Sequence, residues 1–451
     1  MPAGMPSASS QPPAPPRAST PPTPPPPPTP RLAQRGAVEP FHVMELIKAA
    51  AIRQQSHGDV ISLCAGQPST PAPKAVRDAA ARAIDGHVLG YTEATGIRPL
   101  REAIAQHYAD TYDLDVDPDQ VVVATGSSGG FTAVFLAAFD AGDVVAMSRP
   151  GYPAYRNTLT ALGCRVVELD CTAETRYQPT VAMLEELTAH LGHPPAGLVV
   201  ASPSNPTGTI IDPTELAAIA AWCEAHGTLL VSDEIYHGIS YGRPTPSAWQ
   251  TSREAVLVGS FSKYFSMTGW RVGWLILPPH LVRPVELLLG NLNICAPAVA
   301  QAAAVAAFTP EAREELDSHV ARYAVNRDLM LARLPDIGVD ELAPPDGAFY
   351  LYCDVSRHTS DSLAWCSEVL DATGVALTPG VDFAPVSAGE SARAQAAATA
   401  PHHDGRHFVR MCFAGDGADL TTAMDRLSAY VGLARAGSTT RGMPCPPGAE
   451  K

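Results

Sequence analysis

Residues 198–236 read LVVASPSNPTGTIIDPTELAAIAAWCEAHGTLLVSDEIY. Two short apolar runs, 198–202 and 228–233, bracket a helical pattern over 213–225. Apolar runs this short, alternating with helices, predict strands buried on both faces of a mostly parallel sheet. Each run ends in polar residues, Ser202 to Gly208 after the first and Asp233 to Tyr236 after the second. Open α/β sheets bind ligands at the carboxyl ends of their strands, so the stretch that sets the fold also places the site.

The same alternation extends outward. Further buried strands are predicted over 121–124, 144–148, 164–169, 255–260 and 272–277, with another helical pattern at 183–190. From about Glu311 the pattern changes to a long helix (311–334), a strand (349–353), a helix (362–373), strands near 375–378 and 408–412, and a final helix from Ala418. The fold class is therefore α/β, a large mostly parallel-sheet domain with a smaller α+β domain. The expected organisation is a disordered Pro-rich tail (1–36), an N-terminal arm and small-domain segment (37–65), a large domain (66–315) and a small C-terminal domain (316–436). An Ala-, Ser- and His-rich inserted loop is expected over 384–405, and a flexible tail over 437–451.

Length and composition agree. At 451 residues the chain exceeds what one hydrophobic core usually serves. With 46% hydrophobic and 17% charged residues it suits a globular chain, and no run of about 18 apolar residues exists to cross a bilayer. The 46 acidic against 31 basic residues give a formal charge of −15, which repels a phosphate backbone and argues against nucleic acid as a partner. The nine cysteines are scattered singly, with no CxxC, so a reducing cytoplasm is expected rather than a disulfide framework or zinc site. Residues 1–36 hold 14 of the 44 prolines and read as polyproline II or disorder. Prolines at that density forbid the amphipathic helix of a transit peptide, while leaving room for an SH3-type ligand.

Only four of the 31 basic residues are lysines: Lys48, Lys74, Lys263 and Lys451. Lys263 directly follows a predicted buried strand in Ser260-Phe261-Ser262-Lys263, with Arg271 eight residues on. A lysine tucked there is partly desolvated, which lowers its pKa toward what an imine-forming amine needs. The spacing S-x-x-K also marks penicillin-recognising serine hydrolases, but those require a downstream S-D-N and K-T-G; this chain has only Ser232-Asp233-Glu234, upstream. Gly126-Ser127-Ser128-Gly129-Gly130 follows a strand and opens a helix, an arrangement that suits an anion and equally a plain capped turn. Taken alone, Asp233 reads as a cap or solvated strand end, and Asn205 as part of a surface turn.

Taken in order, the motifs resemble the class I/II (fold-type I) pyridoxal-phosphate-dependent aminotransferases. The resemblance rests on Gly66, on Tyr91 with Gly96 and Arg98, and on Gly126-Ser127-Ser128 and Pro150-Gly151-Tyr152. It continues with Asn205-Pro206-Thr207-Gly208, Asp233-Glu234-Ile235-Tyr236, Lys263 with Arg271, Pro345-Asp346-Gly347, Pro379-Gly380 and Arg410, and spans roughly 40–434.

The resemblance implies pyridoxal 5'-phosphate as cofactor and a Schiff base with Lys263, which then serves as the base moving the proton from the substrate Cα. It implies Asp233 at the pyridine nitrogen, Asn205 and Tyr236 at the phenolic oxygen, and Tyr152 stacked on the ring. Ser127, Ser128, Ser260 and Arg271 would hold the phosphate, joined by Tyr91 from a neighbouring subunit of a homodimer. Arg410 would clamp the substrate carboxylate, helped by the Gly66 N–H and Asn205. The substrates would be an L-amino acid and a 2-oxo acid.

Related aspartate enzymes of one subgroup carry a lysine where this chain has Ser128, which removes one support for a dicarboxylate substrate. His402, His403 and His407 lack recognised ligand spacing, so no metal is expected. A β-lyase or other elimination enzyme on the same fold is the alternative chemistry, because fold and lysine do not fix which Cα bond breaks.

Overall fold

The computed structural model describes residues 31–86, 88–385 and 404–440. Most of the expected proline tail and inserted loop, and the last eleven residues, 441–451, thus lie outside the described residues. In chain order the strands are β1 (Ile61–Ser62), β2 (Val121–Ala124), β3 (Val144–Arg149), β4 (Arg165–Asp170), β5 (Gly197–Ala201), β6 (Leu229–Asp233), β7 (Val256–Ser260), β8 (Gly273–Ile276), β9 (Tyr350–Asp354), β10 (Val375–Ala376), β11 (Thr378–Pro379) and β12 (Phe408–Cys412).

Seven strands form the main sheet, in the order β2-β8-β7-β6-β5-β3-β4. Strands β3 to β7 are mutually parallel, while β8 runs antiparallel to both its neighbours, so β2 points the same way as β7. Successive side chains of a strand point to opposite faces. In β2, Val121 and Val123 join one apolar cluster and Val122 and Ala124 the other; in β5, Leu198 and Val200 part from Val199 in the same way. Both faces are covered by helices, and for that reason these strands read as unbroken apolar runs. Each fully buried valine or leucine contributes about 1.5–3 kcal/mol relative to exposure. Helix Pro213–His226 shows the local logic of the crossovers: Asp212 accepts from the Thr214 N–H at 3.0 Å, and Gly227 ends the helix in the left-handed region at φ 67°.

The smaller unit packs helices Pro310–Arg333, Ser362–Thr373 and Gly417–Thr440 against the antiparallel sheet β11-β12-β9, around Phe349, Leu351, Trp365, Met411 and Met424. Every strand and helix expected from the sequence is present, with two differences. The apolar run at 375–378 is two strands, not one: β10 pairs with β1 and β11 with β12, because the chain changes partner at buried Leu377. The last helix continues to Thr440, past residue 437 where a loose tail was expected. One glycine costs a formed helix only about 1 kcal/mol, too little to stop it at Gly437.

Candidate active site

The carboxyl ends of β2, β5, β6 and β7 share one edge of the sheet, where Ala201 lies opposite Asp233 and Asp233 opposite Val258. A cavity of about 350 Å³ opens there, also lined by residues of the smaller unit and of the N-terminal helix His42–His57. It gathers Gly66, Ser127, Ser128, Tyr152, Asn205, Asp233, Tyr236, Lys263, Arg271 and Arg410 from eight separate stretches of chain.

Lys263 reaches in from the turn after β7, and its Nζ donates to the Gly66 carbonyl at 2.6 Å. The residue keeps some accessible surface, but its ammonium is enclosed, 5.6 Å from the Tyr236 ring centre. Burial, reinforced by the Arg410 charge, pushes its pKa down to about 8, against the opposing pull of Cys412 and Asp233. Asp233 ends β6 almost fully buried. Its Oδ2 accepts from the Tyr155 hydroxyl and its Oδ1 from the Ile235 N–H at 3.1 Å. Burial outweighs these bonds and pushes the carboxyl up to about 6. A buried carboxylate held this way is stabilised by any cationic N–H brought against it.

Arg410, on β12, is 4% exposed. It donates to Asn205 Oδ1 at 2.8 Å and to the Cys64 carbonyl at 2.7 Å, and its guanidinium lies 4.4 Å from the Tyr350 ring centre and 5.0 Å from that of Phe383. Its Nε has no hydrogen-bond partner among the described residues. Tyr236 and Tyr350 share a hydroxyl contact of 2.6 Å. Tyr152 lies edge-on to Tyr155, with ring centres 5.3 Å apart.

Gly126, at φ 66°, opens helix Gly126–Ala138 and presents Ser127 and Ser128 at its first turn. A Cβ at Gly126 would run into the Arg271 guanidinium, so the bare backbone is what lets the charge approach the helix N-terminus. Arg271 itself is left-handed, at φ 54°, and its Nη1 donates to the Thr268 carbonyl at 3.0 Å.

One expected residue lies elsewhere. Ser260 lines a second cavity; its Oγ accepts from the Ser262 N–H at 3.1 Å, so closing the turn after β7 holds it there. Ser262 lines the first cavity in its place. Tyr91, expected to reach a neighbouring subunit's site, is 84% exposed and outside this chain's own cavity. Sequence reasoning assigned no role to Tyr155 and Tyr350, which lie three residues beyond the Tyr152 and Gly347 motifs it singled out. Phe41, Met44 and Ile47 also line the cavity, and only their spacing of three, one helical face, could have signalled a shared role.

The cavity thus holds three cationic groups, Lys263, Arg271 and Arg410, against one carboxylate, Asp233, with a helix N-terminus beside Arg271. Such a donor set fits a phosphorylated, carboxylate-accepting cargo, and the amine beside it fits an aldehyde.

The family model for aminotransferase class I and II matches residues 58–427. The valine–pyruvate aminotransferase of Mycobacterium tuberculosis is 54% identical over 405 residues, covering 89% of this chain and 99% of that protein. A crystal structure of an aminotransferase from Mycobacterium tuberculosis superposes with a TM-score of 0.84 at 54% identity, covering 90% of this chain and all of that one. The aspartate aminotransferase of Thermus thermophilus with maleate superposes with a TM-score of 0.80 at 28% identity, covering 89% and 100%. With the amine, the carboxylate and the anion cradle at one sheet edge, the chain belongs to the class I and II aminotransferases, pyridoxal-phosphate-dependent enzymes that exchange an amino group between an amino acid and a 2-oxo acid.

Proposed function

We propose that this aminotransferase acts as a cytoplasmic homodimer on a small apolar amino acid, with valine as donor and pyruvate as acceptor, and that Lys263 is its catalytic base. The observation that carries the reading is the Lys263 amine: enclosed, with its pKa brought down to about 8, and beside Asp233 and Tyr236. An amine so tuned stays mostly protonated at pH 7 but holds roughly a tenth of its population neutral, far more than an ordinary lysine, and can both take and return a proton.

When bound, pyridoxal phosphate supplies the electron sink for the pair left when the Cα–H bond breaks. Arg271, Ser127, Ser128 and Ser262 would hold its phosphate at the N-terminus of helix Gly126–Ala138. The Asp233 carboxylate would keep a protonated ring nitrogen in place, Asn205 and Tyr236 would hold the phenolic oxygen, and Tyr152 would cover the ring. Arg410 fixes the substrate carboxylate, which orients the Cα–H toward the Lys263 Nζ. Lys263 would take the Cα proton on its Nζ and hold it for return, and water would supply the carbonyl oxygen of the departing 2-oxo acid as the nitrogen is left with the bound cofactor.

Valine is favoured by the 54% identical valine–pyruvate relative and by an apolar wall of Phe41, Val43, Met44 and Ile47. Apart from Lys263, Arg271 and Arg410, each with an assigned partner, the lining has, among the described residues, no cation for a second carboxylate. The homodimer is supported by Tyr91 at 84% exposure beside Val88 at 98%, apolar surface suited to burial against a second copy. The cytoplasmic assignment is supported by the eight described cysteines, all free thiols.

The test is a half-reaction with a panel of amino acids. Valine should convert the cofactor to its amine form with release of the matching oxo acid, and pyruvate should reverse it. Release of ammonia without build-up of the amine form assigns elimination instead. Equal response to aspartate removes the apolar assignment, and a monomeric mass in solution removes the dimer.

A further inference from the structure

Helix His42–His57 begins without a cap of its own. Its N-cap residue is Phe41, which offers no side-chain acceptor, although the first N–H groups of a helix need one. The acceptor comes from the far end of the chain. The N–H groups of His42 and Val43 donate to Oδ1 and Oδ2 of Asp382, each at 2.8 Å. Asp382 is 3% exposed and sits in the turn Gly380–Asp382.

That turn is itself held on two sides. The Asp382 carbonyl accepts from Arg156 Nη2 at 3.2 Å, and the Phe383 carbonyl accepts from the Gly151 N–H at 3.0 Å, both from the large domain. The Phe383 ring also lies 5.0 Å from the Arg410 guanidinium. Supplying the cap from outside leaves position 41 free for an aromatic. Phe41 takes that place in the cavity wall, with its ring centre 6.3 Å from that of Tyr152, and Met44 and Ile47 follow on the same helical face. Met44 is 57% and Ile47 39% exposed, apolar side chains left open at the cavity rather than packed away.

We propose that Asp382 is a positioning residue for substrate selection: by capping the helix in place of residue 41, its carboxylate fixes the wall of Phe41, Met44 and Ile47 at the side-chain end of the substrate site. The selection part rests on the apolar-donor reading above; the capping part does not.

Two readouts on the holoenzyme test it. In Asp382→Ala, amide exchange at residues 42–44 should quicken by roughly tenfold, the loss expected of an uncapped first turn. The KM for valine should rise by roughly tenfold with kcat within about threefold, and the KM for alanine, too short to reach the wall, should rise less. The cofactor absorbance should be unchanged. Asp382→Asn keeps one acceptor and should fall between, and it carries both readouts if the alanine variant does not fold. Adding Phe41→Ser to Asp382→Ala should restore amide protection without restoring the valine KM. Unchanged exchange at 42–44 overturns the proposal, as does an equal rise in KM for both donors. If the wild type refuses valine, the functional reading fails by itself; exchange still decides the capping, and selection is read with the apolar donor the enzyme takes.

Discussion

Asp233 and Glu234 are neighbours in the chain, both buried, yet they face different cavities. Asp233 looks into the cationic one, with Lys263 and Arg271 in its lining. Glu234 looks into a cavity of about 210 Å³ lined by His107, Tyr112, His237 and Trp274 among others. Burial pushes Asp233 up to about 6 and Glu234 up to about 8. Glu234 Oε1 accepts three hydrogen bonds, from Ser232, Ser247 and the Ala248 N–H, which leaves its proton on Oε2.

His237 lies 3.5 Å from Oε2, but burial drives its own pKa down to about 3. The contact is therefore between neutral groups rather than an ion pair. A strand end can thus present two carboxyls of opposite character one residue apart: one kept ready for a cation, one kept protonated as a hydrogen-bond hub.

The sharpest way to break this contrast is Lys263→Ala, which removes the central amine of the Asp233 side. Turnover should fall by on the order of 10³–10⁴-fold, the weight of a positioned acid–base group. Borohydride reduction of the wild type should fix the phosphopyridoxyl group on the Lys263 peptide alone. Labelling of Lys48 or Lys74 would move the site.

Next comes Asp233→Ala, expected to lower kcat by on the order of 10²–10³-fold and to weaken cofactor retention even with pyridoxal phosphate in excess, since a cation at that place loses its only buried counter-charge. Near-normal turnover would make Asp233 as silent as its neighbour and erase the distinction.

Arg410→Ala should raise the KM of amino acid and oxo acid alike by roughly 10–100-fold and leave the cofactor spectrum in place, the signature of lost carboxylate binding. Unchanged KM values would put the carboxylate elsewhere.

The smallest effect belongs to Glu234→Gln. Glutamine copies a protonated carboxyl, so kcat/KM should stay within about twofold at pH 7. Its signature is in stability. The folded pKa of Glu234 lies above the ordinary 4.5, so the folded state binds the extra proton between pH 4.5 and about 8. Wild-type stability therefore falls as pH rises through that window, and the glutamine variant, which has no such proton to lose, gains relative to wild type. Unfolding midpoints of both at pH 5 and pH 9 measure it; an equal difference at the two pH values would show Glu234 ionised throughout.

The sequence was most informative where its signals were local. Period and length of apolar runs located the seven strands of the main sheet, because strands covered on both faces are mostly apolar; at the edge, β4 with Arg165, Glu168 and Asp170 is only partly buried. The order of motifs from Gly66 to Arg410 identified the family, and ten of the eleven residues expected in the chain's own site line one cavity. The exception, Ser260, has a local cause. Ser260 and Ser262 are both serines in one turn, and only the path of the backbone decides which faces the cavity and which closes the turn.

What the chain determined by itself was therefore the α/β architecture, the lysine and the chemistry that the lysine permits. What tertiary structure decided was which groups meet: Tyr155 with Asp233, Tyr350 with Tyr236, and the Asp382 carboxylate with a helix start 340 residues away. Helix periodicity and strand burial are written over a few adjacent residues and survive in a one-dimensional reading. A hydrogen bond between distant residues depends on the fold of everything between them, so neither partner carries a mark of the other.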